Sequence, residues 1–533
     1  MLLHEFLDRS NSRLPGKPAL VCQGARVTYG ELDARARALA ASMAGRGVAR
    51  GDRVVLFMDN SVELVVAIFA TLRLGAVFVP VNPLTKRDKL TYILHDTEAS
   101  AMVSSASLER QWAEPLAASA SVRSCYIVGK SGCTDARCLP FPYAAGAPDV
   151  RDATTIDQDL AALIYTSGST GDPKGVMLTH LNMVSASTSI STYLGLRESD
   201  VIGCALPLAF DYGLYQVLMA FQVGATVVLI ESFTFPLAVM EGFARERITV
   251  FPGVPTMFAM LMDMAGLERV DLSTLRLVTN TAAALPEQHI ARLRQRFPKA
   301  TLFSMYGLTE CKRVTYLPPD QLDTRPTSVG RGMPNEEVWL VDEAGRRLPN
   351  GSTGELVIRG SNVMRGYWRK PAETAQRLRP GPIPGEMVLY SGDVFRTDAE
   401  GWLYFVARKD DIIKSRGEKV SPREVENAIA SLAGVREAAV VGVPDPVLGE
   451  AIKAYVVCNA GAHITERDVI RHCLARLESF MAPKQVEFVE ELPVTDTGKV
   501  KKTALRAASQ EKNVGADRIE GTAVPARELL RGR

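Results

Sequence analysis

Short apolar runs recur along this chain, and the segments between them carry helical spacing. RVVLF (53–57) and AVFVPV (76–81) read as buried strands, with a helix from Val62 to Leu74 between them. ATVVLI (225–230), ITVFPG (248–253), LRLVTN (275–280) and ATLFSMYG (300–307) repeat the strand pattern, separated by helical stretches such as Pro286 to Arg296. This alternation predicts α/β layering with parallel strands. Around residue 330 the texture changes. EEVWLVDEAGRRL and GELVIRG read as hairpin strands, marking a small β-rich subdomain at about 330–407. Past Asp411, SPREVENAIASL opens with Ser421, Pro422 and Glu424, a capping box with proline at the first helical position. VREAAVVGVPD and EAIKAYVVCNA follow as strands. The expected organisation is a large N-terminal domain of layered αβ subdomains over 1–409 and a small α+β domain over 410–508. Residues 140–158 read as a surface loop, and the polar tail 509–533 as disordered.

With 62 basic and 60 acidic side chains the formal net charge is +2, which gives no general pull toward nucleic acid or anionic lipid. Any phosphate chemistry must therefore come from placed residues. The eight cysteines include no CxxC pair, and the six histidines do not cluster with them, so zinc ligands at the usual spacing are missing. The longest apolar run, Leu64 to Val81, is broken by Arg73, Gly75 and Pro80, and no signal-peptide stretch opens the chain. The expectation is a reduced, cytoplasmic protein without an integral membrane segment or nucleic-acid partner, monomeric or homodimeric.

The strongest local signal is LIYTSGSTGDPKGVMLTH, residues 163–180. An apolar strand runs into Thr166, Ser167, Gly168, Ser169, Thr170 and Gly171, with Lys174 just beyond. Small residues let backbone N–H groups approach an anion closely, and the hydroxyls and lysine add donors and charge. The composition suits a polyphosphate. A Walker loop is excluded by spacing: counting from Gly168, Pro173 falls where its second glycine belongs, and Gly175 replaces the magnesium-holding Ser/Thr.

YTSGSTGDPKG closely resembles the signature loop of the adenylate-forming superfamily, which includes acyl-CoA synthetases, amino-acid adenylation domains and firefly luciferase. Other family marks follow in order, from TYGEL (28–32) and GDRV (51–54) to Gly498-Lys499. The resemblance implies a role for each matching residue. Tyr306, Gly307, Thr309 and Glu310 fall in YGLTE, where the tyrosine lies against adenine, the threonine contacts the α-phosphate and the glutamate holds Mg2+. Asp393, in YSGD, matches the carboxylate that accepts the ribose hydroxyls. Thr281 and Ala283 lie at the strand end that touches adenine and the acyl group, where alanines replace the usual glycines and imply a narrower slot. Arg408 matches a ribose- or phosphate-binding arginine, Asp410 the hinge pivot, Gly417 the face used in the thiol step and Lys499 the catalytic lysine. The C-terminal domain is accordingly expected to be mobile.

The implied reaction uses ATP and Mg2+ to turn a carboxylic acid into an acyl-adenylate, releases pyrophosphate, and passes the acyl group to CoA. A carrier protein's phosphopantetheine is the alternative thiol. Phe210, Asp211, Thr281 and Ser304 are implied to line the acyl pocket. Asp211 keeps two readings: it binds a substrate ammonium, as in amino-acid adenylating members, or it caps the helix beginning at Tyr212. Lys312 and Arg313 are expected to face solvent, with recognition of an acidic acyl group or a phosphate as the alternative. FDYG, YGLTE and TYLPP look closest to bacterial stand-alone acyl-CoA ligases linked to exopolysaccharide and exosortase systems. An inactive binding protein on the same fold would not need both Glu310 and Lys499.

Overall fold

The apolar runs assemble into two mainly parallel sheets. In this computed structural model the described residues are 1–143, 146–152, 154–166, 173–262, 264–281, 285, 287–415, 418–445, 449–477, 479–495 and 499–509. The nine-stranded first sheet runs Arg331–Gly332, Thr315–Leu317, Thr301–Tyr306, Leu277–Asn280, Val250–Gly253, Val201–Cys204, Thr226–Leu229, Pro18–Cys22, Ala25–Thr28. Neighbours are parallel from Thr301–Tyr306 to Pro18–Cys22 and antiparallel at both edges. The eight-stranded second sheet runs Gly366–Tyr367, Lys174–Thr179, Leu160–Thr166, Val77–Val81, Arg53–Phe57, Ala101–Ser105, Ser124–Val128, Cys138–Pro140. It is parallel except around Lys174–Thr179.

Parallel sheets need cover on both faces, and the helices supply it. Val62–Arg73 is buried at every residue but Glu63, and Ser61 caps it by accepting the Leu64 N–H at 3.2 Å. Arg73 at its end is buried yet neutralised by Asp8, at 2.5 Å, and Asp33. A single apolar core joins this helix to residues of both sheets. The expected hairpin strands are Glu336–Val341 and Thr353–Gly360, antiparallel within a separate five-stranded sheet with Met387–Thr397, Leu378–Pro380 and Leu403–Arg408.

The chain divides into two compact units, Met1–Ser391 with Phe395–Phe405, and Gly392–Val394 with the residues from Val406 on. The second unit has its own five-stranded sheet, in which Val435–Asp445 and Gly449–Cys458 are antiparallel. The helices Pro422–Ala430 and Glu466–Leu474 share a core with it. Ser421 accepts the Glu424 N–H at 3.4 Å and donates to the Val406 carbonyl at 2.6 Å, so the cap also ties down the preceding strand. Ser509, expected to open the tail, is instead buried and bonded to the Tyr455 hydroxyl. Residues 510–533 lie outside the described residues.

Candidate active site

The strands Leu160–Thr166 and Lys174–Thr179 pair antiparallel, with Thr166 opposite Lys174. Thr166 and Lys174, which flank the Ser/Thr/Gly segment, thus stand opposite one another. Ser167, Gly168, Ser169, Thr170 and Gly171 lie outside the described residues. On the other side of Lys174–Thr179, Tyr367 pairs with Val176. The Lys174 ammonium stands over the Tyr367 ring, 5.7 Å from its centroid. The Tyr367 hydroxyl donates to Glu310 Oε1 at 2.7 Å, and the Met364 N–H donates to the Glu310 carbonyl at 2.7 Å. The phosphate-loop lysine and the carboxylate of YGLTE are thus linked through one tyrosine.

YGLTE begins where the strand Thr301–Tyr306 ends. A Cβ at Gly307 would lie 2.5 Å from the Lys312 carbonyl and 2.9 Å from Arg313 Cα, so only glycine permits this turn. Tyr306 lies edge-on to Phe395, centroids 4.9 Å apart, within a cluster that includes Phe405. Thr309 and Glu310 are half-buried in the turn. Ser304 is buried in the same strand, opposite Asn280 and Leu317, and Thr281 is buried just past the neighbouring strand. Ala283 lies outside the described residues.

On the acyl side, Phe210 precedes the helix Asp211–Val223. Asp211 is the helix's first residue, and no side chain bonds at the cap, which overturns the capping reading. Its carboxylate faces Lys312 instead, Oδ2 to Nζ 3.5 Å. Lys312 and Arg313 are 3% and 1% exposed, so the expected solvent-facing pair is in fact buried. Lys312 lies over the rings of Tyr215 and Tyr212, at 4.7 and 5.3 Å, and Arg313 lies over Tyr212 at 5.1 Å. Burial pulls the Lys312 ammonium down to about 7, against the opposing influence of Asp211. The Tyr212 hydroxyl donates to the Thr279 carbonyl at 2.8 Å, fixing this helix to the strand that leads to Thr281.

In the second unit, Asp393 is buried and pairs with Arg408, Oδ1 to Nε 3.4 Å. Asp410 lies in the short turn Lys409–Asp411, followed by Asp411 paired with Arg506 at 2.9 Å. Lys499 is exposed. Its N–H bonds to Thr495 Oγ1 at 3.2 Å and its carbonyl accepts the Thr495 N–H at 2.7 Å. Gly417 lies outside the described residues.

Residues 7–368 match the AMP-binding enzyme family, and residues 424–499 match the AMP-binding enzyme C-terminal domain. The chain belongs to the AMP-binding enzyme family. It is 32% identical over 543 residues to a long-chain-fatty-acid–CoA ligase of Escherichia coli, covering 96% of this chain and 95% of that one. Among solved structures, an amide bond synthetase, McbA from Marinactinospora thermotolerans, superposes with a TM-score of 0.86 at 30% identity, covering 95% of this chain and 99% of that one. ATP-bound MatB from Rhodopseudomonas palustris gives 0.85 at 31%, with the same coverage. The family resemblance and the α/β fold class read from the sequence therefore hold.

Two features of this AMP-binding enzyme went unread. Tyr367 reaches Glu310 because its strand adds to the edge of Lys174–Thr179, far away in sequence, and nothing local in GYW announces that. Lys312 turns inward because its backbone is left-handed, φ 68°, against Gly307. Only the tightness of a glycine turn followed by adjacent charges hinted at it.

Proposed function

We propose that this enzyme activates a carboxylic acid with ATP, releasing pyrophosphate, and transfers the acyl group from acyl-AMP to the thiol of CoA. The observation that carries the reading is the Lys174–Tyr367–Glu310 arrangement at the base of the phosphate loop. Both substrates of the first step are anions, so their approach needs compensating charge. Thr166 and Lys174, with the loop between them, bind the ATP phosphates, and Thr309 contacts the α-phosphate. Tyr306 lies against adenine, while Asp393 accepts the ribose hydroxyls and Arg408 steadies it.

Glu310 suits magnesium. It is a half-buried hard-oxygen donor with one oxygen fixed by Tyr367, and Mg2+ is commonly bound by one or two carboxylates plus substrate phosphates. No cluster of three or more His, Cys, Asp or Glu side chains that could hold a metal by itself occurs among the described residues. When bound, the ion neutralises phosphate charge. Lys499 supplies a positive charge at the α-phosphate during adenylation and then withdraws, and the face bearing Gly417 serves the thiol step. Asp410 is the pivot. Phe210, Thr281 and Ser304 border the acyl group, and Ala283 touches adenine.

Asp211 is already engaged by Lys312, so an amino-acid ammonium would have to displace a buried cation. This favours a non-amino acid and CoA over amino-acid loading onto a carrier protein. The cytoplasm, which holds ATP and CoA, is the proposed compartment. Placement in the exosortase-linked bacterial subgroup rests on FDYG, YGLTE and TYLPP alone. The test is pyrophosphate release across fatty, aryl and amino acids, followed by product mass with CoA and with a carrier protein. Acyl-CoA is the expected product. Absence of pyrophosphate with every acid would refute the proposal.

A further inference from the structure

Arg313 is buried without a partner for two of its guanidinium nitrogens, beside an Asp211 already engaged by Lys312, and this bears on which acid the enzyme takes. We infer that the acyl chamber accepts an acid carrying a second carboxylate, held at its far end by Arg313 with Lys312 alongside. The inference rests on the ligase reading for the location of the chamber at Asp211.

Arg313 is 1% exposed, and its Nε and Nη1 make no hydrogen bond. It forms no ion pair among the described residues. Its backbone is pinned by Asn362, whose Nδ2 donates to the Arg313 carbonyl at 3.2 Å. The guanidinium is therefore held in place without an anion. The ring of Tyr212 offsets only a fraction of what a buried unpaired charge costs.

Neither nearby acid closes the gap. Asp211 is matched by Lys312. Glu336 is bonded to Asn362 Nδ2 at 2.7 Å and makes no ion pair among the described residues, and burial pushes its carboxyl well above the usual range, toward the uncharged form. The Arg313 guanidinium is left without a carboxylate partner among the described residues. A substrate carboxylate would neutralise it, with the planar guanidinium offering paired donors.

The Asp211 side chain keeps 22% exposure, and the buried Lys312 ammonium lies 3.5 Å from its carboxylate, so an acid seated at Asp211 borders the cluster. Its walls are rigid: Tyr193 stacks on Tyr316 with centroids 4.1 Å apart, and Tyr212 is bonded to Thr279. A saturated chain would leave the charge unmatched, and an ω-ammonium would meet like charge.

The test compares dicarboxylic acids with monocarboxylic and ω-amino acids of matched, graded lengths, read as kcat/KM for pyrophosphate release. Wild type is expected to prefer the diacid by about 100-fold. Arg313→Met should bring that ratio near unity, and Arg313→Lys should keep part of it. Preference of the wild type for the monoacid or the ω-amino acid overturns the inference without needing any variant to fold. So does an Arg313→Met enzyme that keeps the diacid preference. If no acid releases pyrophosphate, the ligase reading falls and takes this inference with it.

Discussion

Tyr367 fixes one oxygen of Glu310 through its hydroxyl, 2.7 Å away, while its ring carries the Lys174 ammonium. Tyr367→Phe keeps the ring and removes only the hydrogen bond, leaving Glu310 free to swing. Partners that orient a metal-binding carboxylate are typically worth about 10- to 100-fold, so the apparent affinity for Mg·ATP should fall by about that factor in a titration of pyrophosphate release. A change under about twofold would remove Tyr367 from the site. Lys499 makes a different prediction. Lys499→Ala should lower adenylation by roughly 100- to 1,000-fold yet still form thioester from supplied acyl-AMP and CoA. Equal loss of both steps would refute its assignment to the first. At this scale the sequence speaks through long motifs: Glu310, Asp393 and Lys499 are singled out by their neighbours in the chain. It misled at Lys312 and Arg313, because adjacent charges ordinarily mean solvent, whereas here the backbone is left-handed at Lys312 and both side chains are buried.

Helices and strands were legible for a simple reason. Arg53–Phe57, Val77–Val81 and Thr226–Leu229 are almost wholly buried, and burial on both faces writes itself as an unbroken apolar run. The edge strand Gly366–Tyr367 has two residues and no such signature, which is why its role was invisible. The helix Asp211–Val223 starts one residue before the expected Tyr212, with Phe210 as a cap that makes no side-chain bond, and a Cβ at Gly213 in its first turn would lie 2.3 Å from the Pro207 oxygen. Another helix carries a pH-dependent weakness. His180 opens His180–Leu194 directly after the strand Lys174–Thr179, accepts the Leu3 N–H on Nδ1 at 3.0 Å, and faces His4 across 6.3 Å. Both rings are buried, and burial lowers each to about 4. The unfolded chain binds these protons near 6.5 and the folded one near 4, so their stabilising contribution is complete above about 6.5 and is lost as pH falls toward 4. Each ring accounts for at most about 3 kcal/mol over that window. The denaturant midpoint should drop steadily through it, and His180→Asn should flatten the slope. An unchanged slope would show that the pair does not carry the acid sensitivity.

Two half-reactions must use one adenylate, and they place opposite demands on the space around it. Adenylation needs a cation at the α-phosphate, whereas thiol attack needs that space open. A single rigid arrangement of the two units cannot serve both, which is the physical reason to propose a pivot at Asp410, in the turn Lys409–Asp411. Proline there fixes its own φ near −65° and restricts Lys409 before it. Asp410→Pro should therefore hold the enzyme in one arrangement while leaving each unit folded, as both have cores of their own. Pyrophosphate exchange and thioester formation from supplied acyl-AMP, measured on the same preparation, should then separate. One should fall by about 100-fold or more, and the other by only a few-fold. Which step survives identifies the arrangement that proline favours. Parallel loss of both, with thermal unfolding unchanged, would mean that the turn is not a pivot and that Lys499 leaves the adenylate by another route.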